Sequence, residues 1–245
     1  MAEKLIFFDL PTKAPQKGWS LNPWRTRLIL NYKGIDYGTE WVEYPDIKSR
    51  LEGHVTPFTG PPYLEPTYTI PAVKFPDGSY MIDSLQIADE IERRYPSHPL
   101  QLDAPVLSRL KPLVDQICGA LMPIFIPAIP QVYLGPESVD YWNRTRTQIC
   151  GGVTPTELGK AHGGAKAWAA AAPHIASVTE LFKETDGPFF LGAQVSYADF
   201  VWVSLLIFFK GLGDEEWREL LKASGDAGPH ERILEACKEW TARDD

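Results

Sequence analysis

The sequence predicts an α+β domain of order βαβαββα followed by an all-α domain. Three observations carry this. Short apolar runs with strand-like alternation fall only within about the first 96 residues, separated by helical spacing. A Pro76-Asp77-Gly78 turn joins two of those runs into a hairpin. From Val106 onward, apolar residues recur at helical intervals of three or four.

Lys4 to Leu10 reads as the first strand, ended by Pro11. A polar loop through Gly18-Trp19-Ser20 leads to Asn22-Pro23, which opens a helix with Asn as cap and Pro at its first position. That helix stops near Gly34. Tyr37 to Glu43 alternates as a strand, Asp46 to Gly53 suits a short helix, and residues 54–68 form a loop rich in Pro, Gly and Tyr. Thr69 to Phe75 and Ser79 to Ile82 make the hairpin. Asp83-Ser84 then starts a helix with Leu85, Ile87, Ala88 and Ile91 on its apolar face and Ser84 as its cap, ending at Tyr95-Pro96.

The expected division is 1–97, a linker at 98–104, and a helical domain over 105–245. Val106, Leu110, Leu113, Ile117 and Leu121 form one helical stripe. Trp168, Ala172, Ile175, Thr179 and Phe182 form a second, with Pro173 as a kink or restart. Ser196-Tyr197-Ala198-Asp199 has capping-box spacing, which puts a carboxylate within reach of the Ser196 amide. Val201 to Phe209 is apolar nearly all round, so that helix belongs in the centre, with Gly211 as its stop.

Composition excludes several classes of function. The chain of 245 residues carries 24 basic and 32 acidic side chains, a net charge of -8, without the basic stripe that nucleic acid requires. Cys118, Cys150 and Cys237 are too scattered for a disulfide framework or a zinc site, which suits a reducing, cytoplasmic setting. His54, His98, His162, His174 and His230 show no ligand spacing, so no metal is expected. Leu5 to Phe8 is too short for the apolar core of a secretion signal. Gln116 to Pro136 is free of charge, but Pro123, Pro127, Pro130 and Pro136 favour a bent, buried helix over a membrane span.

Three local features bear on chemistry. Ser20 stands just ahead of a helix N-terminus, where unpaired N–H groups and the helix dipole favour an anion. It lacks the G-x-S-x-G elbow of a hydrolase nucleophile, so an anion-stabilising donor and a plain surface loop both fit. Ile70-Pro71 places proline at a strand start, where no ladder donor is needed. Asp83-Ser84 is a second helix start, consistent with an anion site or with simple capping.

Taken together, these features resemble the glutathione transferases over essentially the whole chain. The most specific pieces are Thr69-Ile70-Pro71-Ala72-Val73 with Asp83-Ser84, and Phe189-Phe190-Leu191-Gly192 leading to Ser196-Tyr197-Ala198-Asp199. Ser20-Leu21-Asn22-Pro23-Trp24-Arg25-Thr26 and Tyr141 to Gly152 are similar to the etherase-related branch, which holds fungal class A enzymes and bacterial lignin β-etherases. The resemblance implies a thioredoxin-like first domain and glutathione as co-substrate. Ser20 would stabilise its thiolate. Ile70 and Pro71 would meet the cysteinyl part, Asp83 and Ser84 the γ-glutamyl end, and Asn22 would lie alongside. Lys48, Arg50 and His54 compete for the glycyl carboxylate. Trp24, Met122, Phe125 and Tyr133 would wall a pocket for aromatic or hydrophobic electrophiles. The implied activity is conjugation, or glutathione-dependent ether or peroxide chemistry. The alternative is a ligandin for aromatic, wood-derived compounds with little turnover. A homodimer is implied as well.

Overall fold

The computed structural model describes residues 4–60 and 65–245. The expected loop at 54–68 is therefore described only in part, residues 61–64 lying outside the described residues.

A four-stranded sheet of order β2-β1-β3-β4 forms from β1 (Leu5–Asp9), β2 (Tyr37–Trp41), β3 (Ala72–Lys74) and β4 (Tyr80–Ile82). β1 and β2 are parallel, while β3 runs antiparallel to both β1 and β4. Helix α1 (Leu21–Tyr32) supplies the crossover between the parallel strands, as such a connection requires. Between β2 and β3 lie a short 3-10 turn at Tyr44–Asp46 and helix α2 (Ile47–Leu51), and after β4 comes α3 (Ser84–Arg94). The predicted order is thus observed. Side-chain alternation splits the sheet into two faces. Phe7 turns towards Tyr37 and the α1 residue Arg27, whose guanidinium lies 5.0 Å from the Phe7 ring. Phe8 turns the other way and stacks on Tyr80.

Two helix starts differ from expectation. α1 begins at Leu21, so Ser20 and not Asn22 is its cap, and Pro23 falls inside the first turn. α3 is capped by Asp83 and not Ser84, because Asp83 Oδ1 accepts from the N–H groups of Leu85 and Gln86 at 3.0 and 3.1 Å. Ser84 becomes the first helical residue and is buried.

The chain packs as two compact units that depart from the expected boundary. The first takes Met1–His98 together with Tyr133–Thr154 and Arg243–Asp245. The second takes Pro99–Val132 and Pro155–Ala242. Helix α5 (Pro136–Ile149) therefore belongs to the sheet-bearing unit. There Ser138 Oγ donates to Glu43 and accepts from the Tyr44 N–H, and Tyr44 meets Trp142 edge to face.

The second unit is built from α4 (Pro105–Val132), α6 (Pro155–His162), α7 (Ala165–Phe182), α8 (Tyr197–Leu212), α9 (Asp214–Ser224), α10 (Gly228–Ala236) and α11 (Lys238–Thr241). Among the described residues, α4 is the one helix long and apolar enough to cross a bilayer by length and composition. Here its Leu110, Val114, Ile117 and Leu121 are buried in the packing of α4 on α7 and α8. It runs unbroken through Pro112, Pro123, Pro127 and Pro130. Pro127 has no N–H for the Pro123 carbonyl four residues back. Gly159 and Gly163 approach that carbonyl so closely that a Cβ on either would stand 3.3 or 3.2 Å from it. Pro173 likewise sits inside a continuous α7 and restarts nothing. α8 is buried nearly all round, as its composition predicts, but passes through Gly211 and stops at Gly213.

Candidate functional site

Sheet register brings the sequence-predicted residues to one end of the first unit. Ala72 at the start of β3 pairs with Ile82 at the end of β4 and with Phe8 near the end of β1. Pro71, Asp83 and Leu10 therefore leave the sheet on the same side. The loop after β1 returns there too, because Gly18 bridges back to Pro11. Ser20, two residues on, thus opens α1 at the end of the sheet from which Ile70-Pro71 and Asp83-Ser84 also project. The Ile70–Pro71 bond is cis.

Ser20 has extended geometry at the cap, φ -74° and ψ 135°, and is half-buried. Its hydroxyl makes no capping bond. The first turn of α1 holds no acidic side chain to neutralise the helix dipole. Asn22 is exposed in that turn. At the neighbouring helix start, Asp83 adopts φ 73°, a left-handed value unusual for a residue other than glycine. Such strain costs about 1–3 kcal/mol and gathers at functional sites.

The loop before Ser20 is firmly held. The Trp19 indole N–H donates to the Pro11 carbonyl at 3.1 Å, and its ring stacks on Tyr133 with centroids 4.6 Å apart. The Trp24 indole N–H donates to the Gly18 carbonyl at 3.1 Å. Beneath lies a buried ion pair, Arg27 to Asp9 at 2.7 Å, with both side chains essentially inaccessible. Burial pushes the Asp9 carboxyl up, and Arg27 opposes that rise. Trp24 and Tyr133 are accordingly buried supports of the Ser20 loop and offer little open wall. Burial also raises the Tyr133 hydroxyl, keeping it neutral.

The other predicted residues fall as follows. His54 is exposed and lies flat on Tyr80, ring centroids 4.3 Å apart, on the Phe8 face of the sheet. Arg50 is paired with Glu40, and Lys48 lies 3.8 Å from Glu52. In the second unit, Met122 is half-buried on α4, and Phe125 meets Phe208 and Phe209 edge to face. Sequence reasoning missed Trp19, Gly18 and Arg27 as parts of this region. The signal available was the Gly18-Trp19 pair immediately before Ser20.

Residues 19–94 match the family model for the glutathione S-transferase N-terminal domain, and residues 111–240 that for the C-terminal domain. The chain belongs to the glutathione S-transferase family. It is therefore a glutathione transferase with a thioredoxin-like first domain, and glutathione is the family's co-substrate. A glutathione S-transferase of Ceriporiopsis subvermispora, solved in complex with glutathione, is 31% identical, with 99% of this chain and 100% of that one covered and a TM-score of 0.86. Glutathione transferase GSTFuA3 from Phanerochaete chrysosporium is 26% identical over 100% of both chains, with a TM-score of 0.85. The glutathione S-transferase-like protein ustS of Aspergillus flavus is 28% identical over 96% of this chain and 90% of its own length. The N-terminal match spans Ser20, Asn22, Trp24, His54, Ile70, Pro71, Asp83 and Ser84, and the C-terminal match spans Met122, Phe125 and Tyr133.

Proposed function

We propose that this glutathione transferase is of the serine type, with Ser20 donating to the thiolate of bound glutathione. The observation that carries this is the Ser20 hydroxyl at the start of α1, uncommitted to its own cap, in a first turn without acid. A free thiol near ~8.5 is mostly protonated at neutral pH. Lowering it by one unit takes about 1.4 kcal/mol of preferential thiolate stabilisation. A helix N-terminus supplies roughly 0.3–2 kcal/mol and a hydroxyl donor to a charged acceptor roughly 1.5–3 kcal/mol.

The start of α3 suits the γ-glutamyl end. Ser84 offers a hydroxyl there, and Asp83 Oδ1 is spent on the cap, leaving Oδ2 for the ammonium group. The Ile70 main chain, just outside the β3–β4 ladder, is placed to pair with the cysteinyl residue. His54 is the better candidate for the glycyl carboxylate, since Lys48 and Arg50 already face acids. Met122 and Phe125 remain the candidate contacts for an aromatic electrophile. The thiol proton leaves to solvent, the sulfur forms a bond to the electrophilic carbon, and the leaving group departs with its electron pair. Similarity to the two fungal enzymes supports a place in the etherase-related branch.

Retention on immobilised glutathione, followed by turnover of an aromatic electrophile by wild type and Ser20→Ala, tests the reading. Retention with turnover that falls in Ser20→Ala is the expected result. Retention with little turnover, insensitive to Ser20→Ala, would instead establish the ligandin. Light scattering of the purified chain tests the implied homodimer.

A further inference from the structure

Residues Arg243–Asp245 dock on the elements that carry Ser20, and nothing in the family reading requires them there. The Gly18 N–H donates to the Asp244 main-chain oxygen at 2.9 Å. Arg27 and Thr39 Oγ1 each donate to the Asp245 main-chain oxygen at 2.6 Å. The Asn31 amide donates to the Arg243 carbonyl at 3.1 Å. The Arg243 guanidinium donates to the Tyr37 carbonyl at 2.7 Å and lies 3.8 Å above its ring. Three consecutive main-chain oxygens are thus taken by α1, β2 and the loop before Ser20, in a segment with no regular structure of its own.

The Gly18 peptide is pinned on both sides, its N–H by Asp244 and its carbonyl by Trp24. It rests against the buried ion pair, where a Cβ on residue 18 would stand 3.1 Å from both Arg27 Nε and Asp9 Oδ2. A buried ion pair depends on further hydrogen bonds around it to offset the cost of desolvation. Here the Asp245 oxygen is the shortest acceptor for Arg27, ahead of Tyr37 and Thr39 at 3.3 and 3.4 Å. Without the segment, Arg27 loses that acceptor and Gly18 loses one of its two pins, two residues from Ser20.

We propose that Arg243–Asp245 is a positioning strap for Ser20: it fixes the Gly18–Ser20 stretch against α1 so that the hydroxyl and the helix start converge on one point. The strap rests on the reading of Ser20 given above and deepens it. It touches no substrate. Its effect runs through placement, where an error of about 1 Å costs up to ~100-fold in rate.

Ultraviolet titration of the thiolate of enzyme-bound glutathione tests this in wild type, Ser20→Ala, a chain lacking residues 243–245, Arg243→Ala, and the strap deletion combined with Ser20→Ala. Strap deletion is expected to raise the bound thiol by about half to one unit, which lowers the thiolate-to-thiol ratio roughly three- to tenfold. Arg243→Ala is expected to raise it less, in the same direction. The combined variant is expected to titrate like Ser20→Ala, since the strap acts through that residue. A folded strapless chain with an unchanged titration overturns the proposal, as does a shift that adds to that of Ser20→Ala. Should the strapless chain not fold, Arg243→Ala decides: a rise supports the strap and no change overturns it. If Ser20→Ala itself shows no rise, the reading of Ser20 fails and the strap with it. A rise in Ser20→Ala without one in the strap variants overturns the strap alone.

Discussion

Two serines cap two helices in this chain, and their surroundings give them opposite uses. Ser196 opens α8 and is fully buried. Its N–H and its hydroxyl both donate to Asp199 Oδ2 at 2.7 Å, while Asp199 Oδ1 accepts from the Phe190 N–H at 2.9 Å. That helix start carries its own anion and is closed to any other. Ser20 opens α1 without a capping bond and with no acid in the first turn. The same residue in the same position is structural where the chain supplies the negative charge and available for a ligand where it does not. Asp83 lies between the two cases, capping α3 with one oxygen and keeping one in reserve.

The contrast can be broken from either side, and the largest effect belongs to the closed end. Asp199→Ala strands the buried N–H groups of Ser196 and Phe190. At ~1–3 kcal/mol for each unsatisfied group, it should cost about 4 kcal/mol. For a chain of this size that lowers the thermal midpoint by roughly 10 °C, while activity per folded molecule is retained. Differential scanning calorimetry beside a turnover assay checks both halves.

A second test lies in the same unit, at His230. The imidazole is buried between Trp202, whose indole donates to Nδ1 at 3.0 Å, and Thr179, 2.9 Å from Nε2. Burial depresses its pKa to about 4. Between about 4 and 6.5 the unfolded chain binds a proton that the folded chain refuses. The contribution of His230 is therefore present above 6.5 and is lost as pH falls towards 4, by up to about 3 kcal/mol. Asp199, raised by burial to about 6, works in the opposite sense between its ordinary value and 6. The stability advantage of wild type over His230→Gln should shrink as pH drops through this window, measured by urea unfolding at several pH values.

At the open end the effects move from stability to rate. Ser20→Ala should leave the thermal midpoint within ~1 °C, because no capping bond is lost, and lower kcat/KM at neutral pH about 10- to 100-fold. Gly18→Ala should do some of each. With the Arg27–Asp9 pair unable to yield, it should cost about 1 kcal/mol and reduce turnover severalfold, read by the same assay and thermal scan.

The sequence made the open end legible because its cues are local. Ser20, Pro71 and Asp83 each sit beside a helix or strand boundary marked by Pro, Asp or Ser, and register alone then gathers them. The cap assignments were off by one or two residues, because Asn22 and Ser84 are also good capping types and only geometry chooses between neighbours. Helix α5 is hard to read from sequence because it has no aliphatic stripe: its buried residues are Ser138 and Trp142, and the half-buried Arg146 guanidinium lies 3.9 Å over the Trp142 ring. The partners of the Ser20 loop were illegible for a simpler reason: Asp245 lies 218 residues from Arg27 along the chain. Trp24 and Tyr133 have side chains that suit either a ligand wall or a core, and what sequence does not show is that both are buried against the Ser20 loop.

The measurement that tests the central claim most directly is the number of protons released when glutathione binds at neutral pH, from calorimetric titrations in buffers of different ionisation enthalpy. If the Ser20 end of α1 ionises the thiol, wild type and Ser196→Ala should release most of one proton, and Ser20→Ala distinctly less. Equal release by wild type and Ser20→Ala would contradict the assignment.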